Sequence, residues 1–306
     1  MFDHAGECAP AEGPVALSRA GASDLHERAD SGGWLFNTGV AATMHIVVCI
    51  KQVPDTKNVR IDPDTHTLVR QGVESIINPF DLFAVEAALK IKDECGARVS
   101  VVTMGPPQAA EALRDTLSLG ADDAVLLSDR AFAGSDTWAT STTLSAGIRK
   151  FGDVDLVLCG KQAVDGDTAQ VGPEMAALLD IPYATFVKKI ELMDGGFLKA
   201  TRQTDDGIEV WKVPTPALMT VIKEIGEPRV PSLRHKMRAK KAEIPVWGAA
   251  DMGLDAECVG LSGSFTQVVR VFSPPRRGDR VQLEGTIEEQ AEQLFALLKK
   301  ARVPGL

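Results

Sequence analysis

The sequence predicts an α/β protein: a parallel-sheet domain with antiparallel additions and an extended C-terminal arm. Three observations lead there. The runs His45-Ile-Val-Val-Cys-Ile50, Arg98-Val-Ser-Val-Val-Thr-Met104, Ala124-Val-Leu-Leu127 and Val154-Asp-Leu-Val-Leu-Cys159 are short and almost wholly apolar, as strands buried on both faces are. Helical patterns separate them, as crossovers between parallel strands require. Past residue 182 the alternation stops, and strands follow one another across Gly-containing turns, as in an antiparallel meander.

Residues 1–43 precede the pattern. Rich in Gly, Ala and Ser and without a sustained period, they read as a disordered arm or as a start placed too early. Residues 44–226 read as the α/β domain and 227–306 as the arm. Strand 45–50 leads into a loop, 51–56. A hairpin-like excursion follows, with Asp62-Pro63-Asp64 turning between 59–61 and 67–69. Asn78 caps the next helix and Pro79 takes its first position. Its stripe of Phe80, Phe83, Ala84, Ala87, Ala88 and Ile91 has helical spacing. A second helix, near 107–119, stops at Gly120. Asp136 caps a third, over 137–150. The meander comprises 183–192, 197–204, 208–213 and 217–222. In the arm, Pro228 and Pro231 keep the chain extended before a basic helix over 232–241. An amphipathic helix near 286–301 carries Ile287, Leu294, Leu297 and Leu298. So long an irregular arm is unusual in a compact monomer and suits a chain lying against a partner.

Composition is that of a globular protein, 44% apolar and 25% charged. No apolar run approaches the roughly 20 residues of a membrane helix. A net charge of -9 argues against nucleic acid as the main partner. The five cysteines are scattered without a CxxC pair, which fits a reducing compartment and gives no iron–sulfur or zinc site. The five histidines show no metal-ligand spacing.

The functional stretch is the strand-to-helix turn Gly160-Lys-Gln-Ala-Val-Asp-Gly-Asp-Thr-Ala-Gln-Val-Gly-Pro173. It sits at the carboxyl end of a strand, where open α/β sheets bind ligands. Asp167 or Thr168 is placed to cap the following helix, and free N–H groups at a helix start face a phosphate. Gly160 and Gly166 let a ligand approach the backbone. No residue stands out as a nucleophile or general base.

From Met44 onward the chain resembles the beta subunit of an electron transfer flavoprotein. The likeness rests on Val48-Cys-Ile-Lys-Gln-Val53, Asn78-Pro-Phe-Asp81 with Ala84-Val85-Glu86, Met104-Gly-Pro106, Gly120-Ala-Asp122, Gly160-Lys-Gln-Ala163 with residues 165–172, Glu227-Pro-Arg229 and Met237-Arg-Ala-Lys-Lys241, in order and at family-like spacing. The resemblance implies a Rossmann-like, adenine-nucleotide-binding domain whose arm embraces an alpha subunit. It places the nucleotide against Cys49, Asn78, Pro79, Phe80, Asp81 and Met104, and against Gly160, Lys161, Gln162, Ala163, Val164, Asp165, Gly166, Asp167, Thr168, Ala169, Gln170 and Val171. Main-chain N–H groups of 167–171 would hold phosphate oxygens. Asp165 suits a ribose hydroxyl better, because like charges repel.

Two kinds of member differ in the nucleotide. Housekeeping members hold structural AMP and shuttle electrons from acyl-CoA dehydrogenases. Bifurcating members, which oxidise NADH, hold a second FAD. The turn here, with small Gly166, Thr168 and Ala169, resembles the second kind, as do Ala131-Phe-Ala-Gly134, Asp136 and Ala139-Thr140-Ser141. FAD is therefore expected, with AMP as the alternative and NADH as a donor. The resemblance implies an electron-carrier subunit acting with an alpha subunit and an acyl-CoA-type or other flavin dehydrogenase, in a bacterial or archaeal cytoplasm. It also implies a docking element for that dehydrogenase on the basic helix, with Leu233 as anchor and Arg238 and Lys241 among the charges around it. An adenine-nucleotide-binding stress or sensor domain is the rival of another class. It would be shorter, without the meander and arm. A nucleotide-using ligase would need a Gly-rich loop after the first strand, where Lys51-Gln-Val-Pro54 has none.

Overall fold

A computed structural model describes residues 43–55, 60–61, 68–69, 75–269 and 281–302. The expectation for 1–43 and the Asp62-Pro63-Asp64 turn therefore lie outside the described residues, apart from position 43. Two compact units are distinguished, Met1–Gln267 and Val268–Leu306.

In chain order the strands are β1 (His45–Cys49), β2 (Gln52–Pro54), β3 (Arg60–Ile61), β4 (Leu68–Val69), β5 (Ser75–Ile77), β6 (Arg98–Met104), β7 (Asp123–Leu127), β8 (Leu156–Gly160), β9 (Tyr183–Met193), β10 (Phe197–Thr204), β11 (Gly207–Pro214), β12 (Ala217–Val221) and β13 (Val246–Trp247). The helices are α1 (Pro79–Cys95), α2 (Ala110–Leu119), α3 (Thr137–Phe151), α4 (Val171–Leu179), α5 (Leu233–Lys241) and α6 (Ile287–Lys300).

One nine-stranded sheet runs β11-β10-β9-β12-β8-β1-β6-β7-β13. Neighbours from β9 to β13 in that order are parallel, while β10 is antiparallel to both β9 and β11. The sheet is doubly wound. Ile46 and Val48 of β1 share a core with Ala84, Ala88 and Ile91 of α1 and with Leu113 and Leu117 of α2. The alternate residues Val47 and Cys49 share the opposite core with Leu144 and Ile148 of α3 and with Met175 and Leu179 of α4. Full burial of an aliphatic side chain such as Ile46 contributes about 2 kcal/mol, so both faces of β1 are strongly specified.

The chain leaves β1 for β6 and β7 on one side, then crosses back to lay β8 on the other. That reversal puts a crevice at the carboxyl ends of β1 and β8, the place where such sheets take ligands.

Several expectations are corrected. The last segment of the expected meander is β12, which lies between β8 and β9 and runs parallel to both. Its five residues are all buried, and a continuous apolar run fits an inner parallel strand better than a half-exposed meander. Residues 51–56 are not wholly loop: β2 pairs antiparallel with β5. The excursion does form a two-stranded ladder, β3 with β4. In the arm, α5 lies against α2, with Ser232 capping it and Ala239 buried, and β13 extends the main sheet beside β7. In the second unit, α6 starts with a full capping box between Thr286 and Glu289.

Candidate functional site

The crevice is built by two clamps from the start of α1. Asn78 occupies the N-cap position, yet its side chain makes no capping hydrogen bond. It is fully buried and reaches across to the turn after β8. Its Nδ2 donates to Gln162 O at 2.9 Å, and its Oδ1 accepts the Val164 N–H at 3.1 Å. The amide thus satisfies one main-chain donor and one acceptor of a turn that has no strand partner there.

Asp81 is the second clamp. One carboxylate oxygen accepts the Lys51 N–H at 2.8 Å and the other accepts the Gly160 N–H at 3.0 Å. The ends of β1 and β8 are held at a fixed spacing through this one side chain. Burial pushes its carboxyl up to about 7, against the pull of the main-chain bonds from Lys51 and Gly160, the Asn78 side chain and the Lys51 charge. Gly160 owes its identity to this packing. A Cβ there would stand 2.5 Å from Asp81 Oδ1 and 2.6 Å from the Phe80 carbonyl carbon. The expectation that Gly160 admits a ligand is corrected accordingly. At Gly166 an added Cβ meets nothing within 4 Å, so that glycine does leave the backbone open.

Beyond Val164 the turn is largely exposed. Neither Asp167 nor Thr168 caps α4: the N-cap is Gln170 and no side chain fills the role. Asp167 and Ala169 both take left-handed φ, at 54° and 55°. A left-handed φ at Ala169 beside a right-handed Gln170 is the main-chain pattern of an anion nest, here at the helix start. Gly172 allows α4 to sit close to the sheet, since a Cβ there would lie 2.5 Å from Thr220 Cγ2 and 3.1 Å from Cys159 Sγ.

Of the other expected residues, Cys49 ends β1 in register with Cys159 of β8, and both cysteines are buried. Burial holds both thiols well above their ordinary range, so they stay protonated and unreactive. Lys161 lies with its Nζ 5.0 Å from the Phe80 ring centroid. Gln162 Nε2 donates to Asp167. Met104, at the end of β6, is partly buried against the α3–α4 core. Pro79 takes the first position of α1 as expected.

Sequence reading missed two contributors, and a second contact of a third. Lys51 donates to both oxygens of Asp165 at 2.8 Å, across 114 positions. Nothing local marks that pair. Glu174 in the first turn of α4 accepts from Thr137 Oγ1 at 3.0 Å and Ser141 Oγ at 2.8 Å, tying α4 to α3. Asp136 caps α3 as expected and also accepts from the Thr266 N–H and Oγ1 at 2.9 and 3.0 Å, which brings the arm to this edge. Burial alone would raise the Asp136 carboxyl; the bonds from Ala139 and Thr266 outweigh it and lower it.

On α5, Leu233 and Met237 are 76% and 60% exposed on the outer side. Lys241 is exposed, while Arg238 donates to Ala121 O and so fastens the helix to the body. Among the described residues there is no helix long and apolar enough to cross a membrane and no His/Cys/Asp/Glu group arranged for a metal.

Comparison with known proteins fits this geometry. Residues 65–252 match the electron transfer flavoprotein domain. The caffeyl-CoA reductase-Etf complex subunit CarD of Acetobacterium woodii is 52% identical over 262 residues, covering 85% of this chain and all of the relative. The electron transfer flavoprotein subunit beta of Clostridium acetobutylicum is 49% identical, over 84% of this chain and 98% of its own. FixA of Bradyrhizobium diazoefficiens is 46% identical, over 82% and 90%. With identity of that extent, the chain belongs to the electron transfer flavoprotein family, among its beta subunits.

Proposed function

We propose that this chain pairs with an alpha subunit and holds FAD at the crevice between β1 and β8. The pair would carry electrons between NADH or a flavin dehydrogenase and downstream acceptors, with flavin-based bifurcation as its specific role. The observation that carries the nucleotide site is the nest-like main chain at Ala169–Gln170, at the uncapped start of α4; unobstructed Gly166 beside it supports the longer ligand, FAD, over AMP.

The residues present fit an adenine dinucleotide. Main-chain N–H groups of 168–171 hold the phosphates, the Asp167 N–H being given to Ala163 O at 2.8 Å, and the β1–β8 crevice takes the adenylate. Lys51 offsets the charge of Asp165, which would otherwise repel phosphate. Asn78 and Asp81 act through the main chain, fixing the turn without touching the ligand. When bound, a flavin accepts hydride and releases electrons singly; the protein supplies position and electrostatics. The protonated thiols of Cys49 and Cys159 keep reactive sulfur away from that chemistry.

On α5, exposed Leu233 and Met237 ringed by Arg234, Lys236, Lys240 and Lys241 form an apolar anchor with a basic rim, suited to a dehydrogenase with an acidic surface. The test of the cofactor reading is the nucleotide content of the heterodimer, purified after co-expression and then denatured. Two FAD per heterodimer is the expected result. One FAD with one AMP would make this a housekeeping carrier and refute FAD in the beta site.

A further inference from the structure

At the carboxyl end of the sheet one aromatic side chain is held in a conformation that bulky L-residues avoid. Phe186 of β9 has a φ of +56°. Ala184 pairs with Met219 and Val187 with Val221, so Thr185 and Phe186 together face Thr220 alone. This is a β-bulge, a device that re-aims a side chain. Both neighbouring strands brace it. The Phe186 N–H donates to Thr220 Oγ1 at 3.2 Å. From β10, Arg202 Nε donates to Thr185 O and Nη2 to Thr185 Oγ1, each at 3.0 Å. The bracing does not serve the core. Ala184 and Val187 are fully buried, while Phe186 stays 36% exposed. A costly backbone conformation, fixed from two sides at an aromatic residue that keeps about a third of its surface exposed, points to a ligand.

Its position says which ligand. Thr220 is in register with Cys159, and Cys159 with Cys49, so Phe186 stands level with the crevice. The Thr220 side chain touches both elements, with Oγ1 on the Phe186 N–H and Cγ2 against Gly172 of α4. In strand order, the start of α4 therefore has the β1–β8 crevice on one flank and the bulge on the other. We infer that Phe186 is a stacking platform for the flat second ring of a dinucleotide whose adenylate lies in the crevice and whose phosphates lie at the start of α4. The inference rests on the function proposed above and sharpens it. A mononucleotide ends at the phosphates and does not extend to β9, whereas a flavin dinucleotide does.

The test uses the heterodimer with its alpha subunit, stripped of nucleotide and titrated separately with ADP and FAD. The beta-site step of the FAD titration is the one that ADP blocks. Phe186→Gly should weaken that step about tenfold, the scale of an aromatic stack. ADP affinity should be unchanged, and the thermal midpoint of the stripped heterodimer should rise as the left-handed strain is relieved. Phe186→Trp should retain FAD affinity, and its indole fluorescence should be quenched by FAD but not by ADP. Unchanged FAD affinity in Phe186→Gly overturns the inference. A fall in its thermal midpoint does so too, marking a packing residue. Loss of alpha-subunit association with FAD affinity intact overturns it in favour of a protein contact. If wild type binds ADP but no FAD at that site, this inference falls and the adenylate site stands. If it binds neither, the proposed function falls and takes the inference with it.

Discussion

Asp81 and Gly160 lie 79 positions apart, yet the Gly160 N–H donates to Asp81 Oδ1 at 3.0 Å, and the same oxygen leaves no room for a Cβ on Gly160. Two neighbouring glycines of one turn therefore have opposite constraints. Gly160→Ala should lower stability by about 3 kcal/mol or prevent folding, because the collision involves backbone and a buried carboxylate. Gly166→Ala should leave the thermal midpoint nearly unchanged and weaken nucleotide binding. Thermal melts and ADP titrations of both variants check the contrast.

Asp81 also makes stability depend on pH. Burial raises its carboxyl from 3.8 to about 7. Between those values the folded chain keeps a proton that the unfolded chain has released. The stabilisation is fully present below the unfolded value and is lost as pH rises through the folded one. Stability should fall as pH rises from about 4 to about 7, with a slope of at most about 1.4 kcal/mol per unit from this group. Urea denaturation of wild type and Asp81→Asn across this range checks it, the variant losing that part of the slope.

The fold was legible because its signals are local. β1 and β8 are short apolar runs, and Asn78-Pro79 and Asp136 mark helix starts wherever the chain goes next. The site was legible in place but not in role. Asn78 reads as a cap, but its amide is committed to Gln162 and Val164, which a local rule cannot see. Ala169 carries no sign that it takes a left-handed φ, a conformation expected of glycine. The apolar run of β12 fits a strand of either direction, and only its burial on both faces decides. Lys51 and Phe186 depend on partners in distant strands, so neither was singled out for the site.

Arg229 fastens the arm to α1. It donates to the buried Glu86 carboxylate from its own N–H at 3.0 Å and from Nε at 2.8 Å, and Nη2 reaches Asp93 at 2.9 Å. Arg229→Ala strands a buried charge and should cost about 3 kcal/mol. Arg229→Lys should rescue little of this, since it lacks the fork that spans both carboxylates. Denaturant midpoints, together with protease cleavage after Gly226, check both.

If α5 docks a dehydrogenase as proposed, Leu233→Ala should slow electron exchange with it about tenfold, the cost of losing one apolar anchor, at unchanged flavin content. The helix itself should persist, because Leu233 is exposed and the cap at Ser232 remains. Stopped-flow transfer rates alongside the flavin spectrum separate the two effects.

Hydrogen–deuterium exchange of the heterodimer, with and without bound nucleotide, tests most directly whether main-chain amides hold an adenine nucleotide. Protection on binding should concentrate at residues 166–172, the exposed part of the turn and the start of α4. Unchanged exchange there, with protection elsewhere in the chain, would contradict the account.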